Sequence, residues 1–255
     1  MLLEVNNLGK SFGGVKALQG VSFSFAQGQI GSLIGPNGAG KTTLFNLLTG
    51  VFPPSSGEIH FRKQLLNGRS AVQISALGIA RTFQNLQLFT NMSVVENVMV
   101  GCHSHTKTGL LGAAFRLAAR QEEKQIRKTS LEMLDKVGLL AYANYPADAL
   151  PFGQKRLLEI ARALAMKPEM VLLDEPAAGL NPTESRFLVD LIKRIRSEGT
   201  SVILVEHDME TVMELADKIV VLDFGEKIAE GTPVEITRND RVIEAYLGRE
   251  VEQPA

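Results

Sequence analysis

Eight consecutive residues, Gly35-Pro36-Asn37-Gly38-Ala39-Gly40-Lys41-Thr42, fit the pattern G-x-x-x-x-G-K-[ST] in full. Glycines let the backbone turn tightly, so successive N–H groups converge on one anion. A helix N-terminus behind the turn adds partial positive charge. Lysine in this place reaches the β and γ oxygens of a nucleoside triphosphate, and the Thr42 hydroxyl is offered to Mg2+. Thr43 completes the candidate nucleotide-binding stretch. The alternative is a glycine-rich turn with a stray lysine. At average composition the whole pattern arises by chance in about one chain in a hundred of this length. Here an apolar run precedes it, Ile30-Gly31-Ser32-Leu33-Ile34, and Leu44, Phe45, Leu47 and Leu48 follow at helical spacing. Strand and helix are both in place, so the chain is expected to bind a nucleoside triphosphate.

A second group of candidates follows another apolar run, Met170-Val171-Leu172-Leu173, which ends in Asp174-Glu175-Pro176. Carboxylates at the C-terminal end of a parallel strand stand where such sheets bind ligands. Asp174 can enter the Mg2+ shell, and Glu175 can polarise the water that attacks the γ-phosphate. Alone, such a pair is more often a solvated acidic turn; a complete phosphate loop in the same chain reverses that weighting. His207 holds the equivalent place after the next apolar strand, in Val205-Glu206-His207-Asp208. From there it can donate to the γ-phosphate or orient the water.

The elements that must position these residues are readable in outline. Residues 21–25 alternate at period two and read as a half-buried strand. Residues 58–61 and 78–83 read as further strands. The runs at 170–173 and 201–205 are continuously apolar, as central parallel strands are. A crossover helix is expected over 184–198, and Phe224-Gly225 marks a hairpin between 218–222 and 226–229. Between about 91 and 167 the texture changes: glycine thins out and helical periodicity takes over, with Ile126, Leu131, Leu134 and Val137 on one face. The pattern predicts an α/β core interrupted by a mainly helical lobe. One C-terminal helix is expected over 232–247, and 249–255 as a frayed tail.

Composition limits the functions open to such a chain. Its 255 residues allow one large domain, or a core with a smaller lobe, and 45 % are apolar. The 27 basic and 28 acidic residues nearly cancel, which argues against a nucleic-acid surface. The single cysteine, Cys102, rules out an internal disulfide framework and suits a reducing compartment. The N-terminus lacks a signal-peptide layout, and no apolar run approaches the ~18 residues of a membrane span. The expectation is a soluble, cytosolic chain whose link to any membrane runs through a partner.

In this order the parts resemble an ABC-type ATPase, the nucleotide-binding subunit of a membrane transporter, over residues 3–248. The resemblance implies a P-loop ATPase core with a mixed sheet, an N-terminal antiparallel β part and an inserted helical subdomain. It assigns 1–90 and 168–248 to the core, 91–167 to the helical signature subdomain and 249–255 to the tail. Phe12, in Lys10-Ser11-Phe12-Gly13-Gly14, matches the aromatic that stacks on adenine, where tyrosine is usual. Gln84, in Arg81-Thr82-Phe83-Gln84-Asn85, matches the glutamine that contacts Mg2+ and senses the transmembrane partner. Ala177 to Asn181 falls where the family's dimer-bridging loop lies. Leu150-Pro151-Phe152-Gly153-Gln154 matches the family signature, usually Leu-Ser-Gly-Gly-Gln.

The family's two ATPase subunits meet head to tail, with each ATP between one phosphate loop and the other subunit's signature helix. The resemblance thus implies ATP and Mg2+ as cofactors, a second ATPase subunit, two permease subunits and, indirectly, a periplasmic or extracellular substrate-binding protein. Where serine is usual, Pro151 has neither hydroxyl nor N–H. It suits the first turn of a helix, leaving the N–H groups of Phe152 and Gly153 and the helix dipole to hold the phosphate. Phe152 is expected at the interface or within the helical lobe.

Finer markers look like branched-chain amino acid importer ATPases: Ala177-Ala178-Gly179-Leu180-Asn181-Pro182, Glu206-His207-Asp208-Met209 and Ala245-Tyr246-Leu247-Gly248. An aromatic before the signature glycine, and the long segment containing Lys107-Thr108-Gly109-Leu110, resemble one of that system's two ATPases. Relatives that import amides or urea, or export lipopolysaccharide, share several markers. A soluble ABC ATPase acting on ribosomes or DNA commonly carries two cassettes or a long coiled-coil insertion, and this chain has neither. A P-loop kinase or GTPase needs no Gln84, signature and His207 in this order. His103-Ser104-His105 lacks a third metal ligand at clear spacing and reads as a solvated loop. Residues 110–119 read as packing within the helical lobe rather than as a membrane-surface helix.

Overall fold

The computed structural model describes residues 1–84, 86–102 and 116–247. A hairpin opens the chain: β1 (Leu3–Phe12) pairs antiparallel with β2 (Val15–Phe25), from Leu3 opposite Phe25 to Phe12 opposite Val15. β4 (Ser56–Phe61) and β5 (Gln64–Leu65) complete a four-stranded antiparallel sheet in the order β2-β1-β4-β5. The sequence pattern shows only the last part of β2 and nothing of β1. Asn6, Asn7 and Gly9 interrupt the alternation there because β1 carries register shifts, with Asn7 in the left-handed region.

The second sheet has six strands in the order β10-β9-β3-β8-β7-β6. β3 (Ile30–Ile34), β6 (Ile79–Arg81), β7 (Met170–Asp174), β8 (Ser201–Val205) and β9 (Lys218–Asp223) run parallel. β10 (Glu226–Gly231) returns antiparallel to β9 around Phe224-Gly225, as the turn residues predict. Every residue of β3, β7 and β8 is buried, which explains their unbroken apolar runs. Alternate residues feed two cores on opposite faces. Val171, Leu173, Val202 and Leu204 join the helices on one side; Leu172, Ile203 and Val205 join the antiparallel sheet and α1 (Lys41–Leu48) on the other.

Between β6 and β7 the chain builds α3 (Val94–Cys102), α4 (Arg116–Lys136) and α5 (Phe152–Ala165), after a short α2 (Ala71–Ala76). Ile126, Leu134 and Val137 are buried as their spacing requires, and Leu131 packs half-buried beside them. The crossover helix α6 (Pro182–Ser197) starts at Asn181, whose side chain accepts from the Thr183 and Glu184 N–H groups while Glu184 reaches back. α7 (Met209–Leu215) is capped by Asp208, whose side chain accepts from the Glu210 and Thr211 N–H groups.

The single C-terminal helix expected over 232–247 is two helices, α8 (Pro233–Thr237) and α9 (Asp240–Leu247). The break is local chemistry. Arg238 closes α8 with its N–H on Glu235, and the Asn239 side chain restarts the chain by accepting from Arg241 N–H. The readings placed on His103-Ser104-His105, on 107–115, on Gly248 and on 249–255 lie outside the described residues. No helix among those described is long and apolar enough to cross a membrane.

Candidate active site

The phosphate loop is a tight connection between the end of β3 and the start of α1. At Gly35 φ is 149°, and a Cβ there would sit 2.1 Å from the Leu222 carbonyl oxygen on β9. Only glycine fits so close to the neighbouring strand. The Lys41 ammonium is buried within the loop, donating to the Gly35 oxygen at 2.6 Å and the Pro36 oxygen at 3.1 Å.

Beside the loop lies a cavity of about 450 Å3. Asn37 to Thr43 form one wall, with Val15, Lys16 and Ala17 from β2 at one end and Gln84, Glu175 and His207 opposite. Sequence segments as far apart as Val15 and His207 thus converge on one space, and three of the candidates bond directly. Gln84 Nε2 donates to Glu175 Oε2 at 3.2 Å, and His207 Nε2 stands 3.0 Å from Glu175 Oε1. Glu175 itself holds φ 49°, an uncommon conformation for a non-glycine residue, and donates its N–H to the Val205 oxygen on β8. That bond fixes the turn that sends the carboxylate over the strand end.

Glu206, next to His207, is buried and accepts from Ala177 N–H at 2.7 Å and His207 N–H at 3.2 Å. Burial pushes its pKa above the usual carboxylate value, against the pull of the N–H groups of Ala177, His207 and Asp208. It therefore joins the 177–181 loop to the histidine segment.

Four sequence candidates stand back from this cavity. Gly35 and Pro36 lie behind its wall. Asp174 is fully buried below it, with Oδ2 on Arg81 Nη2 at 2.8 Å and its N–H on Thr82 Oγ1 at 3.3 Å. Phe12 lies outside, half-exposed and edge-on to Phe52 at 5.4 Å, with the Lys10 ammonium 4.9 Å from its ring centre. Phe224 and Gly225 do line the cavity, and Gly225 N–H donates to the Ala39 oxygen. Nothing in their types marks them beforehand as site residues; their pairing in the strand order would have been needed.

The 150–154 stretch does not meet the phosphate loop of its own chain. Pro151 is the N-cap of α5, at φ −56° and ψ 157°, rather than a residue of its first turn. Its extended ψ keeps it outside the helix, while its carbonyl accepts the first helical bond from Lys155 N–H. Among the described residues no acceptor meets the N–H groups of Phe152, Gly153 and Gln154. The Phe152 ring lies against Gly179 in the 177–181 loop, with Arg156 5.8 Å from its centre. At Gly153 a Cβ would sit 2.5 Å from the Glu184 carboxylate, so the starts of α5 and α6 are in direct contact.

Further along α5, buried Arg156 donates to the Phe83 oxygen at 2.9 Å and the Gln84 oxygen at 3.2 Å. Glu159 accepts from Phe83 N–H at 3.2 Å; burial raises its pKa, and that N–H with Arg156 and Arg162 opposes the rise. The backbone that carries Gln84 is thereby held by α5, the helix that Pro151 caps.

A family model described as "ABC transporter" matches residues 18–178. The high-affinity branched-chain amino acid transport ATP-binding protein LivG of Salmonella typhimurium is 45% identical over 249 residues, covering 97% of this chain and 98% of that one. The chain belongs to the ABC transporter ATPase family. Such cassettes are ATP-binding enzymes whose hydrolysis is coupled to transport. A crystal structure of an ABC transporter cassette in its ADP conformation superposes on this one with a TM-score of 0.84, at 31% identity over 97% and 98% of the two chains. A dimeric cassette in a post-hydrolysis state with ADP and Pi gives 0.78, at 25% identity over 91% and 98%. These agree with the expected mixed sheet, antiparallel β part and helical insertion.

A second model, described as "Branched-chain amino acid ATP-binding cassette transporter", matches residues 226–252 of this ABC ATPase. Within that stretch, Tyr246 on α9 packs on the helical core, and its phenol oxygen faces the Gly35 N–H of the phosphate loop. Burial pushes the phenol up to about 12, with the Gly35 N–H pulling down and Asp223 pushing up.

Proposed function

We propose that this cassette is an ATP-hydrolysing subunit of a branched-chain amino acid importer. The observation that carries the catalytic part is the junction of Glu175 with both Gln84 and His207 opposite the phosphate loop. Lys41 and the loop N–H groups bind the β- and γ-phosphates, and Phe12 with its Phe52 neighbour offers the adenine a ring face. Glu175 takes a proton from the attacking water as its oxygen bonds to the γ-phosphorus. The bond to the ADP oxygen breaks, giving ADP and inorganic phosphate. His207 holds the Glu175 carboxylate in place and faces the γ-phosphate.

Thr42, Gln84 and Asp174 offer only oxygen donors, the type that suits Mg2+. When bound, the ion spreads the charge of the β and γ oxygens. The N–H groups of Phe152, Gly153 and Gln154 serve the nucleotide of a second ATPase subunit, since they stand away from this chain's own cavity. The likeness to a dimeric cassette supports that arrangement.

Residues 91–167 act as the helical signature subdomain of a core made by 1–90 and 168–248. A further cavity of about 380 Å3 lies between Leu88, Phe89, Val100 and Met166, beside the backbone that carries Gln84. It suits a cytoplasmic helix of a permease. Two permease subunits hold the cassette peripherally at the inner face of the plasma membrane, and a substrate-binding protein delivers the amino acid on the other side. The LivG relative supports the substrate class. The test is ATP-dependent uptake by proteoliposomes holding the cassette, its partner ATPase and candidate permeases, supplied with binding protein. Uptake of leucine, isoleucine and valine is expected. Uptake of an amide or urea instead would overturn the substrate, and stable association with ribosomes the transport reading.

A further inference from the structure

Arg81, the last residue of β6, is a buried cation to which the proposed chemistry gives no part. One guanidinium nitrogen, Nη2, holds Asp174 Oδ2 at 2.8 Å, with the two side chains 6% and 2% exposed. The other, Nη1, donates to Asn46 Oδ1 on α1 at 2.7 Å and to Oγ1 of Thr49, its C-cap, at 3.2 Å. The rings of Phe45 on α1 and Phe83, next to Gln84, lie 5.5 and 5.0 Å from its central carbon. Its Nε has no partner among the described residues.

A buried ion pair is a poor stability device, because desolvation offsets its attraction and apolar residues fill the same space as well. What this arrangement supplies is geometry. The planar fork reaches two elements at once, which a lysine ammonium on its flexible stem does not do. Those elements are β7, ending in Asp174, and α1, beginning Lys41-Thr42.

We infer that Arg81 is a positioning residue that fixes the Asp174 carboxylate to the phosphate-loop helix, so that Asp174 and Thr42 form one rigid seat for the divalent cation bound with ATP. The inference rests on the proposed placing of Asp174 toward the cation. Arg81 touches neither nucleotide nor cation; it acts through Asp174. Residues in that relation to a metal change its affinity when replaced, by about 10- to 100-fold.

The experiment measures binding of a fluorescent ATP analogue to the purified full chain, in EDTA and across a Mg2+ titration. For Arg81→Lys, which keeps the charge and loses the fork, the Mg2+ concentration giving half the gain in affinity should rise about tenfold. Binding in EDTA should stay within about twofold of the parent, since the loop N–H groups and Lys41 are untouched. Arg81→Met, which keeps the stem, should move the same way. Should it fail to fold, the lysine variant alone decides. Equal weakening with and without Mg2+ would mean a generally loosened α1 and would overturn the inference, as would an unchanged Mg2+ midpoint. Asp174→Asn separates the two levels. If it leaves the Mg2+ gain intact, the placing of Asp174 is wrong. If it abolishes the gain while neither Arg81 variant shifts the midpoint, Arg81 is structural only. In the Asp174→Asn background, Arg81→Lys should add nothing further to the Mg2+ effect.

Discussion

Glu175 and His207 meet across the ends of two adjacent parallel strands, Oε1 to Nε2 at 3.0 Å, while Gln84 takes the other carboxylate oxygen. A general base needs a fixed direction as well as a free lone pair, and two neighbours from separate segments give it one. Glu175→Gln keeps the shape and loses the base. Steady-state ATP hydrolysis should fall at least about a hundredfold, with nucleotide affinity retained. Full turnover in that variant would remove Glu175 from the role. Lys41→Ala gives the converse pattern, a loss of nucleotide binding itself, read directly by titration with labelled ATP.

Pro151 stands at the N-cap of α5, where serine is among the best residues and proline brings no side-chain acceptor. Pro151→Ser should stabilise the helix by about 1 kcal/mol. In the proposed dimer it also adds a hydroxyl facing the partner's γ-phosphate, and a bond to a charged group is worth about 1.5–3 kcal/mol. ATPase activity of the assembled transporter should rise several-fold. No change, or a fall, would show that the main chain and dipole already suffice.

A methyl group at Gly153 collides with the Glu184 carboxylate, which is the N3 partner of the Asn181 cap. Gly153→Ala should therefore displace the Glu184 carboxylate from its cap on the Asn181 N–H and cost about 0.5–2 kcal/mol of stability. ATP binding to the isolated chain should survive, because the phosphate loop is remote from the change. Thermal unfolding and nucleotide titration on the same sample separate the two effects; loss of both would contradict the separation.

Glu206 carries a pKa raised by burial above its ordinary 4.5. Its folded form holds the proton more tightly than the unfolded chain. Its contribution to stability thus falls as pH rises from about 4.5 through the folded value. Glu206→Gln does not titrate. The melting temperature of the variant, measured against the parent across that window, should improve steadily with rising pH. A flat or opposite trend would show that the N–H groups of Ala177 and His207 outweigh burial.

Much of the fold follows from patterns that physics makes local. The strands bearing Leu172 and Ile203 are buried on both faces and therefore read as unbroken apolar runs. The loop from Gly35 to Thr42 is contiguous, so its chemistry is written in one place. The Glu175 and His207 positions follow from strand ends. Arg81 was invisible because its three partners, Asp174, Asn46 and Thr49, come from two other elements. Val15 to Ala17 and Phe224 reach the cavity only through strand order, which no short stretch encodes. The break between α8 and α9 is not legible in the sequence, because Asn239 reads as one more polar residue on a helical surface.

In the proposed dimer the start of α5 offers its partner main-chain N–H groups and no side-chain donor at Pro151. A side-chain contact can be lost by any one of many substitutions, whereas these three donors disappear only if the helix start unravels or a proline enters at 152, 153 or 154. Recognition of this kind is inherited with the shape of the chain rather than with its lettering. Two cassettes facing each other can then drift apart in sequence, one keeping serine and the other not, and both still close on phosphate.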